Sequence, residues 1–305
     1  MSGFPIPRTF FWRRIHSLVG LWLVIYIILH LLTNSQAALL IGDDGEGFIS
    51  SVNSIHKLPY LPLLELLVIA LPFLIHAFWG ISYLRTSKMN SFKSDGSTPS
   101  LEGYSRNRAY SWQRITSWIL LVGIIAHVIH MRVIEYPSSA QVGSQRYYIV
   151  RLQDDAGLAA LAKRLDVKLV NSRQVPQLQQ PSEGADEAVL QQDKTQASHL
   201  SQVLQAANLQ KHQVAAMAKD FGTAELLMVR ETFKSPVMIV LYSFFVIAAC
   251  YHAFNGLWTF LFKWGVTLTD RSRMIYLRVC LLLMVIVTFL GLAAAWGTYW
   301  INLRY

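Results

Sequence analysis

Five long stretches of the chain are almost entirely apolar, and one long polar stretch interrupts them. The apolar stretches cover residues 15–40, 61–84, 112–134, 237–262 and 275–301. A helix needs about 20 apolar residues to cross the hydrocarbon core of a bilayer, and each stretch is long enough. The pattern predicts an all-α membrane protein with five transmembrane helices. Only 15% of the residues are charged, against about 25% in soluble domains, which excludes a soluble enzyme.

The polar stretch, residues 136–234, separates the third predicted span from the fourth. Its strand-like runs are 147–150, 167–170 and 225–229, and its helical patterns are 156–165 and 193–219. A linker rich in Gln, Pro and Ser covers 174–185. We therefore expect spans one to three in residues 1–135, a small α+β insert in 136–234, and spans four and five in 235–305.

Lysine and arginine are distributed unevenly between the two ends of the spans. The N-terminus and the connections 85–114 and 263–278 hold thirteen of them, whereas the opposite span ends hold four. Because the basic excess marks the cytoplasmic side, we expect a cytoplasmic N-terminus and an extracytoplasmic insert and C-terminus. The basic face suits anionic lipid headgroups or an acidic protein. Nucleic acid is disfavoured as a partner, because the basic residues are divided among short loops.

Two cysteines, Cys250 and Cys280, limit the metal chemistry of the chain. They do not form a C-x-x-C pair, so neither a thiolate zinc site nor the ligand set of an iron–sulfur cluster can be built. A C-x-x-C-H attachment site for a c-type haem is absent as well. Both cysteines lie in apolar runs, where Cys is typically a small buried hydrophobic residue.

Histidine is the ionisable residue that recurs inside the spans. Five of the nine histidines lie well inside the spans, namely His30, His76, His127, His130 and His252, whereas His16 lies at the edge of the first span. Ionisable side chains are costly in a bilayer and are therefore candidates for function. A single histidine could merely bridge two helices. Four spans that each place a histidine at a similar depth are not explained in that way.

The depth of these histidines follows from counting along the spans. His30, His76, His127 and His252 each lie about fifteen residues after the start of their span, or about 22 Å along a helix axis. Successive spans run in opposite directions. His30 and His127 are therefore expected toward the outer face, and His76 and His252 toward the cytoplasmic face, about 15 Å apart in a core about 30 Å thick.

Two histidines at each level can ligate the iron of a non-covalent b-type haem from its two sides. Such ligation leaves no open position, which favours electron transfer across the membrane over oxygen chemistry. Zinc is disfavoured because neither level offers further ligands. Spacing does not choose between His127 and His130, which are three residues apart. His16 lies fourteen residues before His30, a spacing also used by helices that ligate two haems, but no second helix repeats it.

At these residues the sequence resembles the cytochrome b membrane subunit of succinate:quinone oxidoreductases, in the five-helix, two-haem class of bacteria. The matching strings are RRIHSL (13–18), LHL (29–31), LP followed by HA (71–77), QRIT (113–116), HAFNGLW (252–258) and WGVT (264–267). The fourth-span string is the most specific. The resemblance covers about 1–135 and 230–305. The insert departs from the family pattern, which therefore does not describe the outer surface.

The resemblance implies the pairing of the ligands. His30 and His127 would hold a distal haem, and His76 and His252 a proximal haem, in agreement with the depth of each residue. In the family an arginine follows the third-span ligand by five residues. Arg132 has this spacing from His127, so the resemblance favours His127 over His130.

The resemblance also implies partners and a location. The chain would be the membrane anchor of succinate dehydrogenase in the bacterial cytoplasmic membrane, and it has no dinucleotide fingerprint with which to oxidise succinate itself. A flavoprotein with FAD and an iron–sulfur subunit would dock on the cytoplasmic face, and menaquinone would accept the electrons.

Three alternatives remain for the function. A fumarate reductase anchor would have the same architecture and work in reverse. The cytochrome b anchor of a hydrogenase or formate dehydrogenase would share the buried histidines, although the fourth-span string argues against it. A transporter that uses histidines for proton coupling belongs to a different class.

Five further residues are candidates for cofactor and quinone contacts. Arg13, Arg14, His16 and Arg114 lie at the cytoplasmic ends of the first and third spans, where arginine pairs well with haem propionates. Positive-inside topology alone explains them equally well. Glu65, at the outer start of the second span, is a candidate proton relay to a reduced quinone. The alternative is that Glu65 has no role in proton transfer and is only an acid that the helix dipole favours at a helix N-terminus.

Overall fold

The computed structural model describes residues 7–86, 91–92, 95–96, 100–142, 144–174 and 199–305. Its helices, in chain order, are α1 (Arg8–Leu39), α2 (Glu46–His56), α3 (Leu61–Arg85), α4 (Ser105–Ile134), α5 (Leu158–Arg164), α6 (199–206), α7 (Phe221–Lys234), α8 (Pro236–Lys263) and α9 (Asp270–Asn302). Helices α1, α3, α4, α8 and α9 are long and apolar enough to cross a membrane. The five predicted spans are thereby confirmed, and the chain is a membrane protein.

Three of the spanning helices begin several residues before their apolar stretches, and one of them is α9, which starts at Asp270 rather than at residue 275. Helix α1 starts at Arg8 rather than at residue 15, and α4 starts at Ser105 rather than at residue 112. Each added residue contributes one more backbone hydrogen bond to a helix that is already nucleated, so the helix extends into its polar flank. Helix α2, in the connection between the first two spans, was not predicted.

Three spanning helices contain a π-helical segment, in which the hydrogen bond reaches five residues back. The segments in the described residues are Leu66–Ala70, His130–Ile134 and Thr298–Asn302. In α4, the amide of Glu135 donates to the carbonyl of His130 at 2.9 Å. Such segments are rare and occur often at functional sites. Two of them adjoin candidate residues, because one follows Glu65 and another begins at His130.

The chain forms two compact units. The first takes Met1–Leu32, Tyr60–Ala126 and Ser243–Gly291. Its helices pack closely at small residues, as is usual where the hydrophobic effect does not drive association. At Gly291 of α9, an added Cβ would lie 2.7 Å from the side chain of Val246 in α8 and 3.2 Å from that of Leu31 in α1. A larger residue there would force these helices apart.

The second unit takes Thr33–Pro59, His127–Tyr242 and Leu292–Tyr305. It contains an antiparallel sheet of β1 (Ser138–Val142), β2 (Gln145–Gln153), β3 (Lys168–Asn171) and β4 (Gln213–Ala218), in the order β1-β2-β4-β3. In the register of the sheet, Ala216 of β4 lies opposite Val150 on one side and Leu169 on the other. An apolar cluster covers each face of the sheet. The α+β character of the insert is confirmed.

Three details of the insert differ from the prediction. Strand β1 was not predicted. Residues 213–218, predicted as helix, form β4. Both faces of this central strand are covered, so five of its six residues are buried and the alternation typical of a strand is missing. Residues 225–229, predicted as a strand, lie in α7, whose N-terminus is capped by Asp220. The linker from residue 175 onward and positions 193–198 of the helical pattern lie outside the described residues.

The insert does not form its hydrophobic core alone. The larger apolar cluster joins β2, α5 and α7 to Ala37 of α1, Phe48 of α2 and Leu303 after α9. Helix α7 is the centre of this cluster, since eleven of its fourteen residues are buried. The polar stretch therefore shares its core with the helices and chain segments that flank it in the second unit.

A buried ion cluster links three parts of the same unit. The guanidinium of Arg230 is fully buried and donates to both carboxylate oxygens of Asp155, at 2.9 and 3.0 Å, and its Nε donates to the carbonyl of Leu303 at 2.7 Å. Lys234 contacts the same carboxylate at 2.7 Å. Burial acts to raise the pKa of Asp155, but the hydrogen bonds from Arg230 and Lys234 outweigh it, and the pKa lies below its usual value.

Asp155→Asn is expected to lower the free energy of unfolding by about 3–5 kcal/mol, because it leaves Arg230 buried without its counter-charge. Asp44→Asn is the matched control. Arg164 holds Asp44 through two hydrogen bonds at 2.8 and 3.0 Å on the surface, where such a pair contributes about 0–1 kcal/mol. Thermal unfolding in detergent, followed by circular dichroism, measures both variants. Equal losses would contradict the role assigned to burial.

Glu225 gives the second unit a pH-dependent stability. Burial raises the pKa of Glu225 to about 7, against a smaller lowering by Arg132. The folded state therefore holds a proton that the unfolded chain, with the ordinary pKa of 4.5, releases. The stabilisation is complete below about pH 4.5 and is lost as the pH rises through about 7, with an upper bound of about 3 kcal/mol.

Glu225→Gln is expected to flatten the fall in melting temperature between about pH 5 and pH 8, because glutamine has no proton to lose. Glu46→Gln, at an exposed acid in the first turn of α2, is the control and should leave the slope unchanged. If the slope of Glu225→Gln matches that of the wild-type protein, another group is responsible for it.

Candidate metal centre

His76 and His252 face each other in the first unit. His76 lies on α3 and His252 on α8, their ring centroids are 6.2 Å apart, and the ring planes are inclined by 84°. Two metal–imidazole bonds of about 2.0 Å, with roughly 1.1 Å from each nitrogen to its ring centre, give about 6 Å between centroids. The separation of the two rings therefore fits one metal ion held from two sides.

A backbone carbonyl from another helix orients each of these rings. Nδ1 of His76 lies 3.3 Å from the carbonyl oxygen of His16 on α1, and Nδ1 of His252 lies 3.2 Å from that of Gln113 on α4. In the neutral tautomer with the proton at Nδ1, each ring donates to the carbonyl. Metal-binding histidines almost always use their second nitrogen in this way, and Nε2 then becomes the ligand atom.

The surroundings of His252 are built from residues of the matching strings. The Nε2 amide of Gln113 donates to the backbone carbonyl of His252 at 3.0 Å, and Nδ2 of Asn255 donates to the side-chain oxygen of Gln113 at 2.7 Å. The hydroxyls of Thr116 and Ser117 lie 3.5 and 3.4 Å from Nδ1 of His252. These contacts fix the position of α8 against α4 at the level of the ring.

His16 and Gly20, one turn apart on α1, shape the other side of the site. The ring of His16 stacks on that of His76, with centroids 4.1 Å apart and planes inclined by 15°. An added Cβ on Gly20 would lie 3.0 Å from Cε1 of His76, so glycine provides the space that the ring occupies. Within the described residues, the buried Nε2 of His16 has no hydrogen-bond partner.

Basic side chains gather near the C-terminal end of α8. Arg14 donates to the carbonyl of Lys263 at 2.9 Å, and its guanidinium lies over the rings of Phe10 and Trp264. Lys263 is within electrostatic range of Arg13, Arg14 and His16. The charges of Arg13, Arg14 and Lys263 repel one another, so the cluster suits an anion. Arg114 is buried and lies over the ring of Tyr110 at 4.2 Å.

His30 and Glu65 belong to the same unit. The ring of His30 stacks on that of Tyr26, one turn earlier in α1, with centroids 5.6 Å apart. Glu65 is within electrostatic range of Tyr26 and precedes the π segment of α3. Trp22 donates from its indole to the carbonyl of Val68 in this segment at 2.8 Å.

His127 belongs to the second unit. Its Nδ1 lies 3.0 Å from the hydroxyl of Tyr242 on α8, and the two ring centroids are 5.8 Å apart. His130, three residues later, differs from it, because within the described part of the chain its buried Nδ1 has no hydrogen-bond partner. The structure thus brings His76 and His252 together and engages His127 with a tyrosine from another helix.

Comparison with known proteins yields one informative relative. No family model matches the chain, and no solved structure matches it. The succinate dehydrogenase cytochrome b558 subunit of Bacillus subtilis (strain 168) is 25% identical over 295 residues, which cover 96% of this chain and 98% of the relative. The chain is a distant full-length homologue of this cytochrome b558 subunit. The resemblance inferred from the motifs is thereby confirmed.

Sequence reasoning missed four residues that shape these sites. Gln113 stood in a matching string, but nothing in the string connects it to His252. Gly20 and Lys263 gave no signal beyond their residue types. Tyr242 lies in an apolar run, where a tyrosine is unremarkable. Their contacts depend on neighbouring helices, so only the packed structure identifies them.

Proposed function

We propose that the chain is the dihaem cytochrome b anchor of a succinate dehydrogenase, which passes electrons from an iron–sulfur subunit through two b haems to menaquinone. The observation that carries this proposal is the His76–His252 pair, with rings 6.2 Å apart and each Nδ1 turned toward a backbone carbonyl. The full-length homology to a cytochrome b558 subunit of succinate dehydrogenase supports it.

The residues present fit a b-type haem. His76 and His252 would hold its iron through their Nε2 atoms, and the carbonyls of His16 and Gln113 would keep both rings in the neutral form required for ligation. A haem with two histidine ligands has no open position and supplies one-electron transfer. The apolar spans exclude water from the site, and Gly20 leaves room for the His76 ring.

His30 and His127 are proposed as the ligands of the second haem. The depth of these residues in their spans and the resemblance support the pair. The hydrogen bond between His127 and Tyr242 favours His127 over His130, because metal-binding histidines are held at their second nitrogen.

The cation cluster is proposed to contact the haem propionates. Arg13, Arg14 and His16 lie with Lys263 near the C-terminal end of α8, where the positive charges of Arg13, Arg14 and Lys263 attract carboxylates. Arg114 is proposed for the same role. Its burial and its aromatic neighbour Tyr110 distinguish it from an ordinary surface arginine.

The partners are proposed from the homologue and from the chemistry that the chain lacks. It has neither a dinucleotide fingerprint nor the cysteines of an iron–sulfur cluster. A flavoprotein subunit with FAD and an iron–sulfur subunit would therefore dock on its basic face, which the distribution of Lys and Arg assigns to the cytoplasm. The insert would then lie outside a bacterial cytoplasmic membrane.

An anchor that works with a fumarate reductase in the reverse direction would use the same residues. The anchor of a hydrogenase or formate dehydrogenase is less well supported, because the relative is a succinate dehydrogenase subunit. Purification of the complex from its native membrane separates an anchor of either succinate-linked enzyme from that of a hydrogenase or formate dehydrogenase. We expect a flavoprotein that succinate reduces to copurify with the chain, whereas hydrogen- or formate-reducible partners would contradict the proposal.

The wild-type protein is expected to hold two b haems, and His252→Ala is expected to lose one, because the substitution removes one of the two histidines that would hold its iron. A pyridine haemochrome assay of purified protein counts them. Gly20→Val should also reduce the haem content, since its side chain would collide with His76. Gly80→Ala is the control, because its Cβ would lie at an ordinary 4.0 Å from His16. A wild-type protein without b haem would contradict the proposal.

Glu65 is proposed to relay protons to a reduced quinone. It lies beside the π segment of α3 and within electrostatic range of Tyr26, which stacks on His30. Glu65→Gln is expected to slow quinone reduction at least tenfold while succinate still reduces both haems, because the amide cannot carry the proton. Stopped-flow absorbance measures both steps. Unchanged turnover would leave Glu65 as an acid at the start of a helix.

A further inference from the structure

We propose that Tyr242 positions His127 as an iron ligand, and that the polar insert in turn holds Tyr242 in place. The inference rests on the proposed function, since it takes His127 as a ligand of the second haem. All the contacts that carry it lie within the second unit.

A hydrogen bond joins Tyr242 to His127. Tyr242 is on α8 and His127 is on α4, and the tyrosine hydroxyl lies 3.0 Å from Nδ1 of the imidazole. The two rings meet edge to face, with planes inclined by 76°. A partner at Nδ1 fixes both the plane of the imidazole and its tautomer, so Nε2 becomes the nitrogen that ligates iron.

The insert packs against Tyr242. Phe233, near the end of α7, meets the Tyr242 ring edge to face, with centroids 5.2 Å apart and planes inclined by 88°. Phe233 is only 6% exposed and belongs to the larger apolar cluster, against which Tyr242 packs. The position of the tyrosine hydroxyl is therefore set by the folded insert.

The hydrogen bond at Nδ1 affects the reduction potential of the haem that His127 would ligate. With the proton on Nδ1, His127 donates to the tyrosine oxygen and becomes a more basic ligand. A more basic imidazole stabilises oxidised iron, so the bond lowers the reduction potential of the haem that His127 ligates. His76 and His252 donate to backbone carbonyls instead, which no side-chain substitution removes. The partner of His127 at Nδ1 is a tyrosine side chain, so a single substitution can remove this bond.

The experiment is a redox titration of the full-length protein, purified in detergent, with each haem followed by its absorbance. The component that disappears in His127→Ala identifies the haem in question. In Tyr242→Phe this component is expected to remain and to shift to a higher potential, with the other component unchanged. Tyr276→Phe, at a half-exposed tyrosine of α9, is the matched control and should shift neither.

The Phe233→Ala variant tests whether the insert holds Tyr242 in place. Loss of this ring is expected to shift the same component in the same direction, by less than Tyr242→Phe does. Unchanged potentials in Tyr242→Phe, at full haem content, overturn the positioning role. A shift in Tyr242→Phe with none in Phe233→Ala overturns the part assigned to the insert.

A further variant covers the case in which Tyr242→Phe fails to retain the haem. In Tyr242→Gln, the amide oxygen can accept the same proton. Recovery of the missing haem in this variant supports the hydrogen bond, and failure to recover it overturns the inference. A wild-type protein that holds no b haem overturns the proposed function itself, which distinguishes that result from a failure of the role of Tyr242.

Discussion

An imidazole inside an apolar helix bundle has two ring nitrogens to satisfy and no water with which to satisfy them. Three of the spanning histidines meet this constraint at Nδ1 through neighbouring helices. His76 uses a carbonyl of α1, His252 uses a carbonyl of α4, and His127 uses the hydroxyl of Tyr242 on α8. In each case the partner of Nδ1 comes from a different helix, so helix packing decides which nitrogen remains for a metal.

This constraint explains why apparently unrelated residues share one site. Gln113 contacts His252 through its side chain and its carbonyl, and Asn255 holds the side chain of Gln113. Gly20 permits α1 to approach the His76 ring at a distance that a side chain would block. Several of the strings that carry the resemblance are therefore in contact with one another, as Gln113 is with His252 and Asn255.

The polar insert likewise depends on residues from neighbouring segments. A sheet of four short strands has two faces to cover, and the insert covers one of them only with the help of α2, the end of α1 and the residues after α9. Arg230 fixes this arrangement, because a buried guanidinium requires all of its partners: the carboxylate of Asp155 and the carbonyl of Leu303. The insert shares its core with the histidine-bearing end of α4 through Met131.

The sequence by itself determined the five spans, the insert and two of its strands, β2 and β3, because hydrophobic length and alternation are local properties. It also singled out His76 and His252, since an ionisable residue in a long apolar run is conspicuous. It failed at β4 and α7, where burial on all sides erases the periodicity that distinguishes a strand from a helix. Only the tertiary structure decided the partner of each imidazole. Tyr242 is 115 residues from His127, and Gln113 is 139 residues from His252, so neither contact leaves a trace in local sequence.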